Sequence, residues 1–276
     1  MQRRRRDELG KNRKEREIVR SIAITSGKGG VGKSTTAINI GILLAQAGKK
    51  TVVVDADVSM ANVGIMLGVE RAPISLHNVL MGESDVMDAV YEGPSKMKYV
   101  PSGLSIDRVK KIDFKKFADA INELESTFDY VIVDSPPGLH KQEESIIKSC
   151  RETILLVAPE PTSLADALKI KNFADKNGIK VLGMVMTRTL HDPAEIKQAD
   201  LEAVLGLKLI AEIPEDAEVR RSNALQQPVV IKAPNSPSAR AYRRIASFLA
   251  GEALPEETKV KKGFLAGILE SLFGKK

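Results

Sequence analysis

Residues 27–34 read Gly-Lys-Gly-Gly-Val-Gly-Lys-Ser, the spacing G-x-x-x-x-G-K-[ST] of a loop whose backbone N–H groups cradle phosphate oxygens. Larger side chains would block that approach, so Gly27, Gly29, Gly30 and Gly32 keep the backbone bare around Val31. In this pattern Lys33 reaches the β and γ phosphates, Ser34 places its hydroxyl on Mg²⁺, and Thr35 follows inside the helix that begins there. Lys28 is a further lysine that the general pattern does not require. Two carboxylates are candidates to complete the chemistry: Asp134, after Tyr130-Val131-Ile132-Val133, and Asp57, in Asp55-Ala56-Asp57. Phosphoryl transfer needs positioning and charge neutralisation more than covalent chemistry. Asp134 is therefore expected to hold Mg²⁺ directly or through water, and Asp57 to lie at the metal and orient the attacking water.

These side chains need a scaffold that brings them to one place. Ile18–Thr25 is β-branched and mostly apolar, as a buried parallel strand is, and residues 34–45 carry apolar residues at helical spacing before stopping at Gly48. A strand, a glycine loop and a helix thus follow in order. Lys50–Val54 and Tyr130–Val133 read as further strands, each ending in an aspartate. Ligands of doubly wound sheets bind outside the carboxyl ends of the strands, so Asp57 and Asp134 are predicted to converge on the loop. The expected fold class is α/β, a mostly parallel sheet flanked by helices.

With the motifs in place, the chain resembles the deviant Walker A ATPases of the MinD and ParA group. The resemblance rests on residues 28–36 (Lys-Gly-Gly-Val-Gly-Lys-Ser-Thr-Thr), Asp55-Ala56-Asp57 and Asp134-Ser-Pro-Pro-Gly138. Ile213–Asp216, Pro228-Val229 and residues 234–241 are similar to the MinD branch, so the likeness covers about residues 20–276. It implies a P-loop NTPase that forms an ATP-dependent homodimer, in which Lys28 crosses to the partner's phosphates. It implies that Asp57 lies in a first switch and that Asp134 to Gly138 opens a second. Thr187-Arg188 falls where the family commonly has Asn-Arg beside the base, a departure at Thr187. Arg188 would stack on the ring, and Pro214, Glu215 and Asp216 would form the other wall of the base pocket. The implied ligands are ATP and Mg²⁺, with hydrolysis to ADP and phosphate at a weak basal rate.

Residues 261–276 supply a second feature. Phe264, Leu265, Ile268, Leu269, Leu272 and Phe273 would form one broad apolar face on a helix, with lysines at both ends. The segment is too short to span a bilayer and is predicted to lie in the membrane interface. Its Lys-Lys-Gly-Phe-Leu string is similar to the membrane-targeting tail of bacterial MinD proteins. Each lysine near an anionic leaflet is worth about 1 kcal/mol, and a short apolar face adds only a few more, so one tail binds weakly. Two tails on one dimer gain roughly 10²–10⁴-fold through effective concentration. The domain reading is a basic tail over 1–19, an ATPase domain over 20–250, a linker over 251–260 and the amphipathic helix over 261–276.

Composition bounds the rest. The 276 residues, 43% hydrophobic, can bury one substantial core. Of the +6 net charge, +5 falls within residues 1–20, leaving a near-neutral core. That weighs against a ParA-like grip on DNA, which needs basic patches and weakens steeply with salt. The run Arg3–Arg6 reads as a solvated tail, with contact to anionic lipid or nucleic acid as the alternative. The single cysteine, Cys150, excludes an intrachain disulfide and does not fit the paired cysteines of cluster-holding relatives. It is expected to be a small buried residue. His77, His140 and His191 have no metal-ligand spacing. Without a signal peptide or spanning segment, the expected location is the cytoplasm and the inner face of the cell membrane. The predicted role is spatial regulation of division-site placement together with an unidentified activating or cargo protein. The alternatives are a DNA-segregation ATPase and a regulator of flagellar or other polar assembly.

Overall fold

A computed structural model describes residues 19–58, 61–69, 72–103 and 115–254. Eight strands form one sheet: β1 (Arg20–Thr25), β2 (Thr51–Asp55), β3 (Tyr91–Glu92), β4 (Lys98–Val100), β5 (Tyr130–Asp134), β6 (Glu152–Val157), β7 (Lys180–Thr189) and β8 (Leu209–Pro214). Their spatial order is β3-β4-β2-β5-β1-β6-β7-β8, and β3 alone runs antiparallel, against β4. The Val- and Ile-rich central strands are buried along their length because helices cover both faces.

Ten α-helices are described: α1 (Lys33–Gln46), α2 (Val63–Met66), α3 (Leu76–Met81), α4 (Lys115–Glu125), α5 (Lys141–Lys148), α6 (Pro161–Lys176), α7 (Gln198–Leu205), α8 (Ala217–Ala224), α9 (Val229–Lys232) and α10 (Pro237–Ala250). One face packs Ile38, Ile42, Tyr242 and Ile245 from α1 and α10 on Ile22, Ile24 and Ile132. On the other face, α4 and α5 cover Ala23, Val131 and Val133, while α6 and α7 cover Leu155 and Val157. Alternate residues of one strand therefore feed opposite layers.

Local chemistry sets the helix ends. The Ser236 hydroxyl accepts a hydrogen bond from the Ala239 N–H, Pro237 occupies the first turn of α10, and Gly251 ends the helix at φ +70°. Asn39 lies buried within α1: its amide donates to the Thr35 carbonyl at 2.7 Å, and its Oδ1 accepts from the Val230 N–H at 3.1 Å. That contact anchors α9 to α1.

Register sets the strand ends beside one another. Asp55 on β2 stands beside Asp134 on β5, and Asp134 stands beside Ile24 on β1. The carboxyl ends of β2, β5 and β1 thus lie side by side where the glycine loop leaves β1. Arg3–Arg6 and the whole 261–276 segment, including Phe264, Leu265, Ile268, Leu269, Leu272 and Phe273, lie outside the described residues. Among the described residues, no helix is long and apolar enough to cross a membrane.

Candidate nucleotide site

The loop from Gly27 to Gly32 runs over the end of β1 into α1. A Cβ on Gly27 would lie 2.1 Å from the Asp166 Cβ, so only glycine lets the loop pass α6 this closely. Gly32 precedes α1 at φ +94°, a left-handed conformation that L side chains rarely adopt. Gly29 faces Pro137, and the Gly138 N–H donates to the Ser26 carbonyl at 3.0 Å, tying the 134–138 segment to the loop.

The two loop lysines diverge. Lys33 is 8% exposed, and its Nζ donates to the Ser26 hydroxyl at 3.1 Å. Burial lowers its pKa, opposed by the charges of Asp134 and Asp57. Lys28 instead lies at the surface, its ammonium 2.5 Å from Glu160 Oε1, with both side chains nearly half exposed. Glu160 stands immediately before α6 and was not singled out in the sequence, because nothing local links it to a lysine 132 residues away.

Asp134 is 1% exposed, and neither carboxylate oxygen has a hydrogen-bond partner. Burial pushes its pKa up to about 7; the nearby Ser34 hydroxyl and the Lys33 ammonium moderate the rise, and the Asp57 charge adds to it. Two orphaned oxygens beside a serine hydroxyl and a buried ammonium are a donor set short of one hard cation, which fits Mg²⁺ held by Ser34 and Asp134. Asp57 is buried close enough to Lys33 and Asp134 to affect both, and its carbonyl accepts from the Ser102 hydroxyl at 2.9 Å.

Asp55 does different work. One of its oxygens accepts the Asn62 and Val63 N–H groups, both at 3.0 Å, and the other faces the Asp57 N–H at 3.3 Å. It therefore bolts the loop after β2 to the start of α2. Burial and the neighbouring Asp134 raise its pKa well above the ordinary carboxyl range, against the pull of those N–H groups.

A cleft of about 450 Å³ opens beside the loop, lined by Gly30, Val31, Gly32, Thr35, Thr187, Arg188, Pro214, Glu215 and Asp216 among others. Its volume falls in the roughly 300–1,000 Å³ range of small-molecule sites. Thr187, at the end of β7, is 2% exposed with its hydroxyl unpartnered. Arg188 adopts φ +58° and donates from Nε to Glu215 at 3.1 Å. The Asp216 carboxylate is engaged elsewhere, accepting the Glu218 N–H at 2.9 Å and the Ser238 N–H at 3.2 Å. It shapes the cleft by capping α8 and tethering α10. Asn223 and Tyr242 complete the wall and went unrecognised in the sequence, since they follow no motif.

Cys150 is 5% exposed, and burial pushes its thiol up. Of the histidines, His77 is buried against the Ser102 carbonyl at 2.6 Å, while His140 and His191 are exposed. Among the described residues, no cluster of three or more His, Cys, Asp or Glu residues could hold a metal ion.

A glycine loop between a parallel strand and a helix, with an aspartate at the end of the adjacent strand, defines a nucleotide-binding P-loop fold. Residues 17–250 match the family described as ParA, NUBPL iron-transfer P-loop NTPase, and the chain belongs to this MinD/ParA family. An uncharacterized ATP-binding protein of Methanocaldococcus jannaschii is 35% identical over 93% of this chain and 97% of its own length. The cell division ATPase MinD of Pyrococcus furiosus superposes with a TM-score of 0.81 at 34% identity, covering 85% of this chain and 99% of that one. The septum site-determining protein MinD of Pyrococcus horikoshii, solved with Mg-ADP, gives 0.80 at 32% identity over 91% and 98%.

Proposed function

We propose that this chain is an ATP-hydrolysing dimerisation switch that binds the membrane reversibly through residues 261–276 and acts in the spatial regulation of cell division, at septum-site placement. Residues 20–250 form the ATPase domain in this reading, 1–19 a basic tail and 251–260 a linker. The protein works in the cytoplasm and on the inner face of the cell membrane, with an activating or cargo protein as further partner. Likeness to proteins named as cell division ATPases supports the biological role.

The observation that carries the switch is the divergence of the two lysines. Lys33 is buried against Ser26 within the loop, whereas Lys28 stands at the surface in an exposed ion pair with Glu160, from which it would turn to a second subunit. Ser34 and Asp134 would hold Mg²⁺, which would supply charge neutralisation at the phosphate oxygens. Asp57 orients the attacking water. The loop N–H groups and Lys33 fix the β and γ phosphates, and Thr187, Arg188 and Pro214 enclose the base. A cation supplied by the partner makes hydrolysis depend on dimerisation, as an arginine finger does.

The test is Lys28→Ala, followed by light scattering with ATP and by phosphate release. The expected result is loss of both ATP-dependent dimerisation and turnover with an unchanged melting curve. A variant that dimerises normally with ATP rejects the switch.

A further inference from the structure

We propose that an arginine-lined cleft on α10 binds the phosphate of an anionic lipid headgroup, giving the protein a membrane contact within its folded domain. The cleft, about 320 Å³, is lined by Arg240, Arg243, Arg244, Ser247, Ala253 and Leu254. Its lining holds three guanidinium groups and no carboxylate. The spacing i, i+3, i+4, i+7 places the three arginines and Ser247 on one side of the helix. Among the described residues, none of the three forms an ion pair.

Arg243 is the informative member. It is 8% exposed, its Nη1 reaches only the Pro234 carbonyl at 3.5 Å, and its buried Nε has no partner. A guanidinium removed from water without a counter-charge is costly, and a bound anion supplies what is missing. Arg240 and Arg244 are exposed beside it, Arg240 being steadied by the Asn235 carbonyl at 2.6 Å. Planar forks of this kind suit the paired oxygens of a phosphate.

Two features select a lipid as the source of that phosphate. Phe248, four residues beyond Arg244 on the same side of α10, is 47% exposed, an aromatic ring beside cations as at a membrane interface. Ala253 and Leu254, which wall the cleft, lead directly into residues 255–276. The apolar face predicted there starts at Phe264, ten residues beyond Leu254 and at most about 36 Å along the chain. A headgroup in the cleft is therefore within reach of a bilayer holding the tail. The inference rests on the membrane reading above and adds to it a phosphate-selective contact separate from the tail.

The test is cosedimentation of the full chain with ATP, using vesicles of phosphatidylcholine alone or with phosphatidylglycerol. The parallel arms are titrations with inorganic phosphate and with a short DNA duplex. Arg240→Gln/Arg244→Gln is compared with Leu269→Glu in the tail and with a control of equal charge change, Lys169→Gln/Lys176→Gln on α6, across the sheet. Each cation at an anionic leaflet is worth about fivefold in affinity. The arginine pair is expected to lose about tenfold or more on phosphatidylglycerol vesicles, with basal ATP hydrolysis intact and the lysine pair close to wild type. Equal losses from both pairs would reduce the cleft to diffuse charge and overturn the proposal. Normal vesicle binding by the arginine pair while Leu269→Glu fails would overturn the cleft and leave the tail reading standing. An arginine-dependent affinity confined to inorganic phosphate, or to the duplex, would reassign the cleft to that ligand. Failure of the wild-type chain on every vesicle would remove both readings together.

Discussion

The chemistry of the site turns on charges held in low dielectric. Asp134 has two buried oxygens with no hydrogen-bond partner, a costly arrangement that one bound cation relieves. Asp134→Asn removes the charge while keeping the shape. The expected outcome is a Mg²⁺-dependent nucleotide affinity at least about tenfold weaker, by calorimetry, with a melting temperature no lower than wild type. Glu160 poses the converse case. Its ion pair with Lys28 is nearly half exposed and so worth at most about 1 kcal/mol, yet it occupies the lysine assigned to the partner's phosphates. Glu160→Gln should tighten the ATP-dependent dimer by up to about fivefold in sedimentation equilibrium. A weaker dimer would mean that Glu160 itself contacts the second subunit.

Among the elements, the central strands owe their alignment partly to a polar clasp at their amino ends, opposite the site. Glu125, ending α4, accepts the Ser21 hydroxyl of β1 at 2.6 Å and two Arg151 donors just before β6, at 2.8 and 2.7 Å. Burial alone would raise this carboxyl's pKa, but the Arg151 and Ser21 bonds outweigh it and hold the pKa below the ordinary value. A depressed folded-state pKa contributes stability above the unfolded-state value and loses it as pH falls through the folded one. Glu125→Gln should therefore cost about 1–2 kcal/mol at neutral pH. Urea titrations below pH 5 should find the gap to wild type narrowing as the wild-type carboxyl protonates. A gap independent of pH would assign the effect to packing.

At the scale of the molecule, the sheet concentrates the nucleotide chemistry at the carboxyl ends of its central strands, while α10 carries the chain out toward the tail. Truncation after Leu254, which keeps the walls of the α10 cleft, separates the two. The full chain with ATP should cosediment with anionic liposomes and the truncated one should not, with the same nucleotide affinity in both. Undiminished binding by the truncated chain would make the arginine cleft of α10 sufficient without the tail, and binding of neither would leave DNA or a protein scaffold as the surface it uses.

The sequence by itself determined the parallel α/β class, the loop from Gly27 to Thr35 and the aspartates at the ends of β2 and β5. These are local signals: a glycine pattern between a strand and a helix, and apolar runs ending in a carboxylate. Tertiary structure alone decided which groups face one another across the chain. It set Glu160 against Lys28, turned Asp55 into the anchor of α2, engaged Asp216 in capping, and brought Asn223 and Tyr242, which belong to no motif, into the wall of the cleft. It also placed three arginines that look like an ordinary charged helix face around a cleft with no acid in its wall. The physical reason is shared by all of them. Backbone patterning is written within a few residues, whereas a side chain's charge partner and burial depend on neighbours that only the folded sheet brings within a few ångströms.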